Sequence, residues 1–333
     1  MKVVVEGQSS REAPVLSGVP QGTVLGPILF LLHINDLPDS VSSQVRLFAD
    51  DCLLYRPIKS FQDHLKLQQD LKSLETWAEK WGMSFNAKKC YILSIKNKSS
   101  YMYNLNEHIL QVVDAHPYLG VQLSNDLRWT QHINGVAKKA SSTLGFLRRN
   151  LQSSPPECRK AAYISLVRST LEYSAIIWDP HHQGEIDRLE RIQRKAARFI
   201  TRDYKSRQPG AMTNMLQKLK LPELQTRRQH LRLAFLFKVA RGTVPALPPE
   251  EYLTKIENKR RIRPTRNSDF ATQNIISRQS RNHSNCFVVP HAKSEVYKNS
   301  LFARTIPQWN SLDENIINSP SVASFKSALE RTI

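Results

Sequence analysis

Asp50 and Asp51 are adjacent carboxylates in a stretch, Leu47-Phe48-Ala49-Asp50-Asp51-Cys52-Leu53-Leu54-Tyr55, that is otherwise apolar. Two carboxylates in oily surroundings are costly to desolvate, and a cation between them offsets that cost. The chemistry such a doublet suits is in-line phosphoryl transfer, in which carboxylates on rigid elements hold two Mg²⁺ (or Mn²⁺) that clamp the attacking and leaving oxygens. Neighbouring side chains on a strand diverge, so one of the pair is expected to be the main ligand and a further carboxylate must come from elsewhere. The competing reading is a plain polar β-turn.

Upstream, Gly18 and Gly22 bracket Pro20-Gln21. Without a Cβ at either glycine a base or sugar can approach the backbone closely, and Gln21 offers both a donor and an acceptor. Gly26-Pro27 then starts a helix through Ile34, which Asn35-Asp36-Leu37-Pro38 ends. Two β-prone runs, 45–48 and 52–55, leave only Ala49-Asp50-Asp51 between them, the pattern of a tight hairpin that would mount the doublet. Leu67, Leu71, Leu74, Ala78 and Trp81 recur at helical spacing over 60–81, and Gly82 supplies a stop. A strand is expected at 90–95 and a hairpin joining 109–113 to 118–123. Beyond Asp126 the spacing turns helical, with helices expected near 157–178, 184–201 and 224–241.

The chain has 333 residues, a formal net charge of +19 and 40% apolar residues. Such a balance excludes a disordered tail and favours an extended polyanion, RNA or DNA, as partner. The dense cluster Lys259, Arg260, Arg261 and Arg263 is a candidate nucleic-acid-binding arm. The amphipathic 187–198 segment carries a basic outer face that suits either solvent or phosphates. Four dispersed cysteines, Cys52, Cys90, Cys158 and Cys286, fit a reducing compartment and give no zinc-ribbon spacing. The longest apolar run, 27–32, is too short to span a bilayer, and the N-terminus lacks the apolar length of a secretory signal. An intracellular protein, nuclear or cytoplasmic and without a membrane partner, is expected.

The segment from Ser17-Gly18-Val19-Pro20-Gln21-Gly22-Thr23-Val24-Leu25-Gly26-Pro27-Ile28-Leu29-Phe30 to Ile34-Asn35-Asp36-Leu37 resembles motif B of reverse transcriptases, and Leu47-Phe48-Ala49-Asp50-Asp51 resembles their motif C. Together with 77–90 and Tyr118-Leu119-Gly120-Val121, the pattern is similar to the jockey-like, LINE-type elements without long terminal repeats. The resemblance implies an α+β fold: part of a right-hand polymerase palm of mixed helices and antiparallel strands over 1–124, a mostly α-helical thumb-like region over 125–243, and a basic arm with a C-terminal segment over 250–333. It implies an RNA-directed DNA polymerase that takes deoxynucleoside triphosphates, an RNA template and a DNA primer or target. Asp50 would ligate metal with Asp51 beside it. Gly18, Gln21, Gly22 and Phe48 would line the nucleotide site, and Lys89 would lie near the departing pyrophosphate.

This sequence departs from the family where motif A should precede motif B, since before Ser17 the acids are Glu6 and Glu12 and neither sits on an apolar strand. Silence of the chain on its own is therefore expected. The alternatives are a non-catalytic nucleic-acid-binding module and a retroelement remnant without function.

Overall fold

The computed structural model describes residues 2–14, 18–19, 22–96, 101–256 and 283–331. The chain divides into two compact units, Met1–Asp114 and Ala115–Ile333. This division falls before the 124/125 boundary read from the sequence, and the hairpin that follows Asp114 goes with the helical unit.

In the first unit, Val4–Val5 (β1) and Gln8–Ser9 (β2) form a small exposed ladder. Helix α1, Leu25–Ile34, begins two residues before Pro27, and Thr23 Oγ1 accepts the Gly26 N–H at 3.1 Å, satisfying one of the free donors of its first turn. The hairpin of β3 (Gln44–Phe48) and β4 (Asp51–Tyr55) is antiparallel with Phe48 opposite Asp51, so the turn consists of Ala49-Asp50 and Asp51 opens the returning strand. Helix α2, Phe61–Lys80, starts with a capping box in which Ser60 and Asp63 exchange side-chain and backbone hydrogen bonds. Its inner face carries Leu74, Trp77 and Ala78 against Ile34, Leu37 and Val45.

The remaining strands of this unit correct the sequence reading. Strand β5 (Tyr91–Leu93) pairs in parallel with β8 (Gln111–Val113), and β6 (Asn104–Leu105) pairs with β7 (His108–Ile109). The hairpin expected between 109–113 and 118–123 does not form. Instead Ala115–Tyr118 (β9) turns back on Val121–Ser124 (β10) through Leu119-Gly120, both at positive φ. A two-residue turn allows this shorter, fully registered ladder, and 111–113 is left free to pair with β5. The strands of the first unit are thus not purely antiparallel, contrary to the sequence reading.

The second unit is helical after β10: α3 (Thr130–Asn150), α4 (Pro156–Ala162), α5 (Ser169–Glu172), α6 (Ala175–Trp178), α7 (Gln183–Thr201), α8 (Ala211–Lys218) and α9 (Leu224–Ala240). The continuous helix expected at 157–178 is interrupted. A π-helical segment, Tyr163–Arg168, joins α4 to α5, and Ser174 at φ 51° turns the chain into α6. That left-handed residue lets Trp178 enter the core and donate its indole N–H to the Tyr173 carbonyl at 2.9 Å. One core gathers Ile133, Ala140, Tyr163, Leu171, Trp178, Leu189 and Ile200. Another closes α9 against the helices Leu301–Asn310 and Val322–Arg331 through Phe237, Trp309 and Phe325.

Candidate active site

What fixes the carboxylate hairpin is its base. Asp70, buried on α2, accepts the backbone N–H groups of Ser42 (2.9 Å) and Ser43 (2.8 Å) just before β3, together with the Ser42 hydroxyl. Burial works against ionisation of Asp70, but these hydrogen bonds outweigh it and hold the carboxyl below its ordinary range. Trp77 donates its indole N–H to Asp36 at 3.1 Å and so ties the end of α1 to the same helix. Val45 is buried and Leu47 half-buried on the inner face of β3, while Arg46 and Phe48 point outward with Asp51, the cross-strand partner of Phe48.

At the tip, Ala49 has φ 50°, the sign that the primed two-residue turns require at their first position. Asp50 and Asp51 are both exposed, which corrects the expectation of a doublet held in oily surroundings. Leu47, Cys52 and Leu54 pack against the core shared with α2, while Asp50 in the turn and Asp51 on the outer face of β4 lie outside it. Phe48 is likewise 62% exposed and is no core aromatic. Cys52, one residue beyond the doublet, is a half-buried free cysteine whose thiol is pushed up to about 11 by burial and by nearby Cys90. It stays protonated at neutral pH and is no thiolate ligand.

An open cleft of about 620 Å³ runs between the 19–30 segment and the hairpin tip, lined by Val19, Gly22, Thr23, Val24, Gly26, Pro27, Phe30, Ala49 and Asp50. Gly22 and Asp50, at distant positions in the sequence, therefore share one surface. Gly18 and Gly22 stand at φ 85° and 81° with open space where a Cβ would sit, so the left-handed backbone is what demands glycine there. Lys89 closes the short 3₁₀ turn Ala87–Lys89, is exposed, and is not part of the cleft lining; nor are Phe48 and Asp51. Gln21 and the basic cluster Lys259, Arg260, Arg261 and Arg263 lie outside the described residues. Sequence reading missed Pro27 and Phe30 as cleft walls, although the lack of a polar face on α1 was the available signal.

The donor set suits a hard cation in part. Asp50 and Asp51 present carboxylate oxygens of the kind Mg²⁺ and Mn²⁺ prefer. Among the described residues, no group of three or more His, Cys, Asp or Glu side chains gathers as a metal cage. A further ligand is needed. Among the described residues, no helix is long and apolar enough to cross a membrane.

Residues 1–123 match the family model for reverse transcriptase (RNA-dependent DNA polymerase). The chain is 27% identical over 252 residues to the RNA-directed DNA polymerase from mobile element jockey of Drosophila melanogaster, covering 70% of this chain and 27% of that protein. It is 28% identical over 205 residues to the probable RNA-directed DNA polymerase from transposon X-element of the same species, covering 58% and 22%. A retrovirus-related Pol polyprotein from type-1 retrotransposable element R1 of Nasonia vitripennis is 23% identical over 180 residues, covering 48% and 52%. The chain spans about a quarter of the length of the first two relatives. No solved structure matches it. Residues 1–123 thus match the reverse transcriptase family, in a chain that is similar to RNA-directed DNA polymerases of jockey and other mobile elements.

Proposed function

We propose that this chain is the motif B to thumb portion of an RNA-directed DNA polymerase of a mobile element, joining deoxynucleotides to a DNA primer on an RNA template. The observation that carries the reading is the shared cleft, in which the glycine loop ahead of α1 and the Asp50 turn face one space. In this reading 1–124 is part of the palm, 125–243 is thumb-like, and 250–333 is the arm and C-terminal segment.

Asp50, whose side chain borders the cleft, is the metal ligand, and Asp51 is its neighbour on the outer face of β4. When bound, two Mg²⁺ or Mn²⁺ ions would activate the primer hydroxyl and neutralise charge on the leaving group. Gly18 and Gly22 give the loop its left-handed bends. Gln21 and Phe48 contact the incoming nucleotide, and Lys89 offers a proton-bearing cation for the leaving pyrophosphate. The described residues bring no third carboxylate to the doublet, so turnover requires a carboxylate from outside the described residues.

Titration with Mn²⁺, followed by paramagnetic broadening of backbone amide resonances, tests the ligand assignment in the chain as it stands. Broadening centred on residues 49–52 and lost in Asp50→Asn is the expected outcome. Broadening spread over the acidic surface and unchanged in that variant contradicts it.

A further inference from the structure

Helices α3 and α7 run parallel. At their N-terminal ends the Thr130 hydroxyl donates to Glu185 at 2.6 Å, and past their C-terminal ends the Arg148 guanidinium lies over the Tyr204 ring, 5.6 Å from its centroid. One end of the second unit therefore collects Arg148 and Arg149 from the last turn of α3, Arg202 at the left-handed cap of α7, and Lys205 and Arg207 from the loop that follows. All five are exposed, and none makes an ion pair with an acidic side chain among the described residues.

The acid closest in sequence is committed elsewhere. Asp203 accepts the backbone N–H groups of Lys205 (3.1 Å) and Ser206 (2.9 Å), while Arg198 donates to the carbonyls of Asp203 and Ser206. These bonds give the loop a defined shape. Arg159 of α4 is buried with its guanidinium 5.8 Å from the ring of Phe199 on α7 and its Nε without a protein partner. Two helix C-termini attract cations, but their partial charges sum to about one negative charge, well short of five exposed positive ones. Tyr204, 47% exposed, adds an aromatic face in their midst.

We propose that this end of the helical unit grips a single-stranded nucleic acid, its phosphates on Arg148, Arg149, Arg202, Lys205 and Arg207 and one base stacked on Tyr204. Cations that track a backbone beside an aromatic platform are the recurring solution for strands bound without sequence preference. The inference takes from the functional reading only the choice of polyanion; it needs neither Asp50 nor a metal.

Fluorescence anisotropy with a labelled single-stranded RNA over a salt series tests it on the full chain. Arg202→Gln/Lys205→Gln/Arg207→Gln is expected to weaken binding at least tenfold and to flatten the slope of log K against log salt by about two, at ~0.7 for each phosphate that is no longer neutralised. Tyr204→Ala is expected to weaken RNA binding about tenfold without changing the slope, and to leave heparin, which has no bases, bound as before. Lys66→Gln/Lys72→Gln/Lys80→Gln removes the same charge from α2 and is expected to change neither quantity. If the loop triple loses its helical circular dichroism, Arg148→Gln/Arg149→Gln takes its place. Equal losses from the loop triple and the α2 triple, or heparin binding that falls with RNA binding in Tyr204→Ala, would overturn the proposal.

Discussion

The first unit carries the Asp50-Asp51 hairpin and has the thinner core, whereas the second has the thicker core. In Met1–Asp114 the buried clusters are small, and α1 leaves Leu25, Ile28, Leu29, Leu31 and Leu32 at least half exposed. In Ala115–Ile333 Trp178, Tyr163, Leu189, Trp309 and Phe325 are almost wholly buried. The second unit even buries an ionic cluster. Asp179 accepts from Arg228 Nε at 2.7 Å and Arg232 Nε at 2.9 Å, with Arg304 Nη1 3.4 Å away. Burial pulls the Arg232 guanidinium down to about 10 despite the neighbouring carboxylate, so it remains charged at neutral pH. One carboxylate thereby holds α9 and the helix Leu301–Asn310 to the corner after α6. The difference teaches that a hairpin tip can be positioned by a few well-placed hydrogen bonds at its base, while a helical body that orders long segments needs volume.

The largest effect expected from this contrast comes from Asp179→Asn. Removing the shared carboxylate leaves buried guanidiniums without a counter-charge, at a cost of about 3–5 kcal/mol. Hydrogen exchange should show faster opening of α7 and α9 amides, with α2 amides unchanged. Equal loss in both units would break the comparison.

Next in size is a matched pair of truncations. Leu189→Ala, at a fully buried site, should cost about 2–5 kcal/mol in a urea titration. Leu32→Ala, at a site 70% exposed, should stay within about 0.5 kcal/mol. Similar costs would mean that α1 is covered in solution.

Acid should separate the units as well. Burial holds His132 below its ordinary value, and its Nδ1 accepts the Gln122 N–H at 3.1 Å, which needs the neutral ring. Because the folded value is depressed, the unfolded chain binds more protons as pH falls below about 6.5. Stability is then full above that pH and is lost as pH drops from there through the folded value. His132→Gln should remove this part of the pH dependence of thermal unfolding. The first unit should hold further into acid. Asp63, kept down to about 2 chiefly by the Lys59 and Ser60 hydrogen bonds, and Asp70 both contribute fully above about 3.9 and weaken as pH falls through their folded values. A first unit whose melting temperature drops more than that of the second between pH 7 and pH 5 would contradict this difference.

Much of the scaffold was legible in the residues. The apolar spacing of 67–81 and the tight gap between 48 and 52 announced α2 and the hairpin, because each rests on local periodicity. Motif-like residues also pointed to Gly22 and Asp50, which share the cleft. Strand partners were less legible. The parallel pairing of β5 with β8 joins segments far apart in the chain, which no local pattern encodes. The break at Tyr163–Arg168 and the exposed setting of the doublet were missed for a related reason. A run of apolar residues tells that one face is covered, and not which residues of a two-residue turn project beyond that face.

The most direct test of the central claim is primer extension on an RNA template by this chain joined to the N-terminal part of a jockey-like polymerase, comparing the parent with Asp50→Asn. If the carboxylate at the hairpin tip carries the metal for DNA synthesis, extension falls by roughly a thousandfold or more while RNA binding is retained. Extension within about tenfold of the parent would contradict the account.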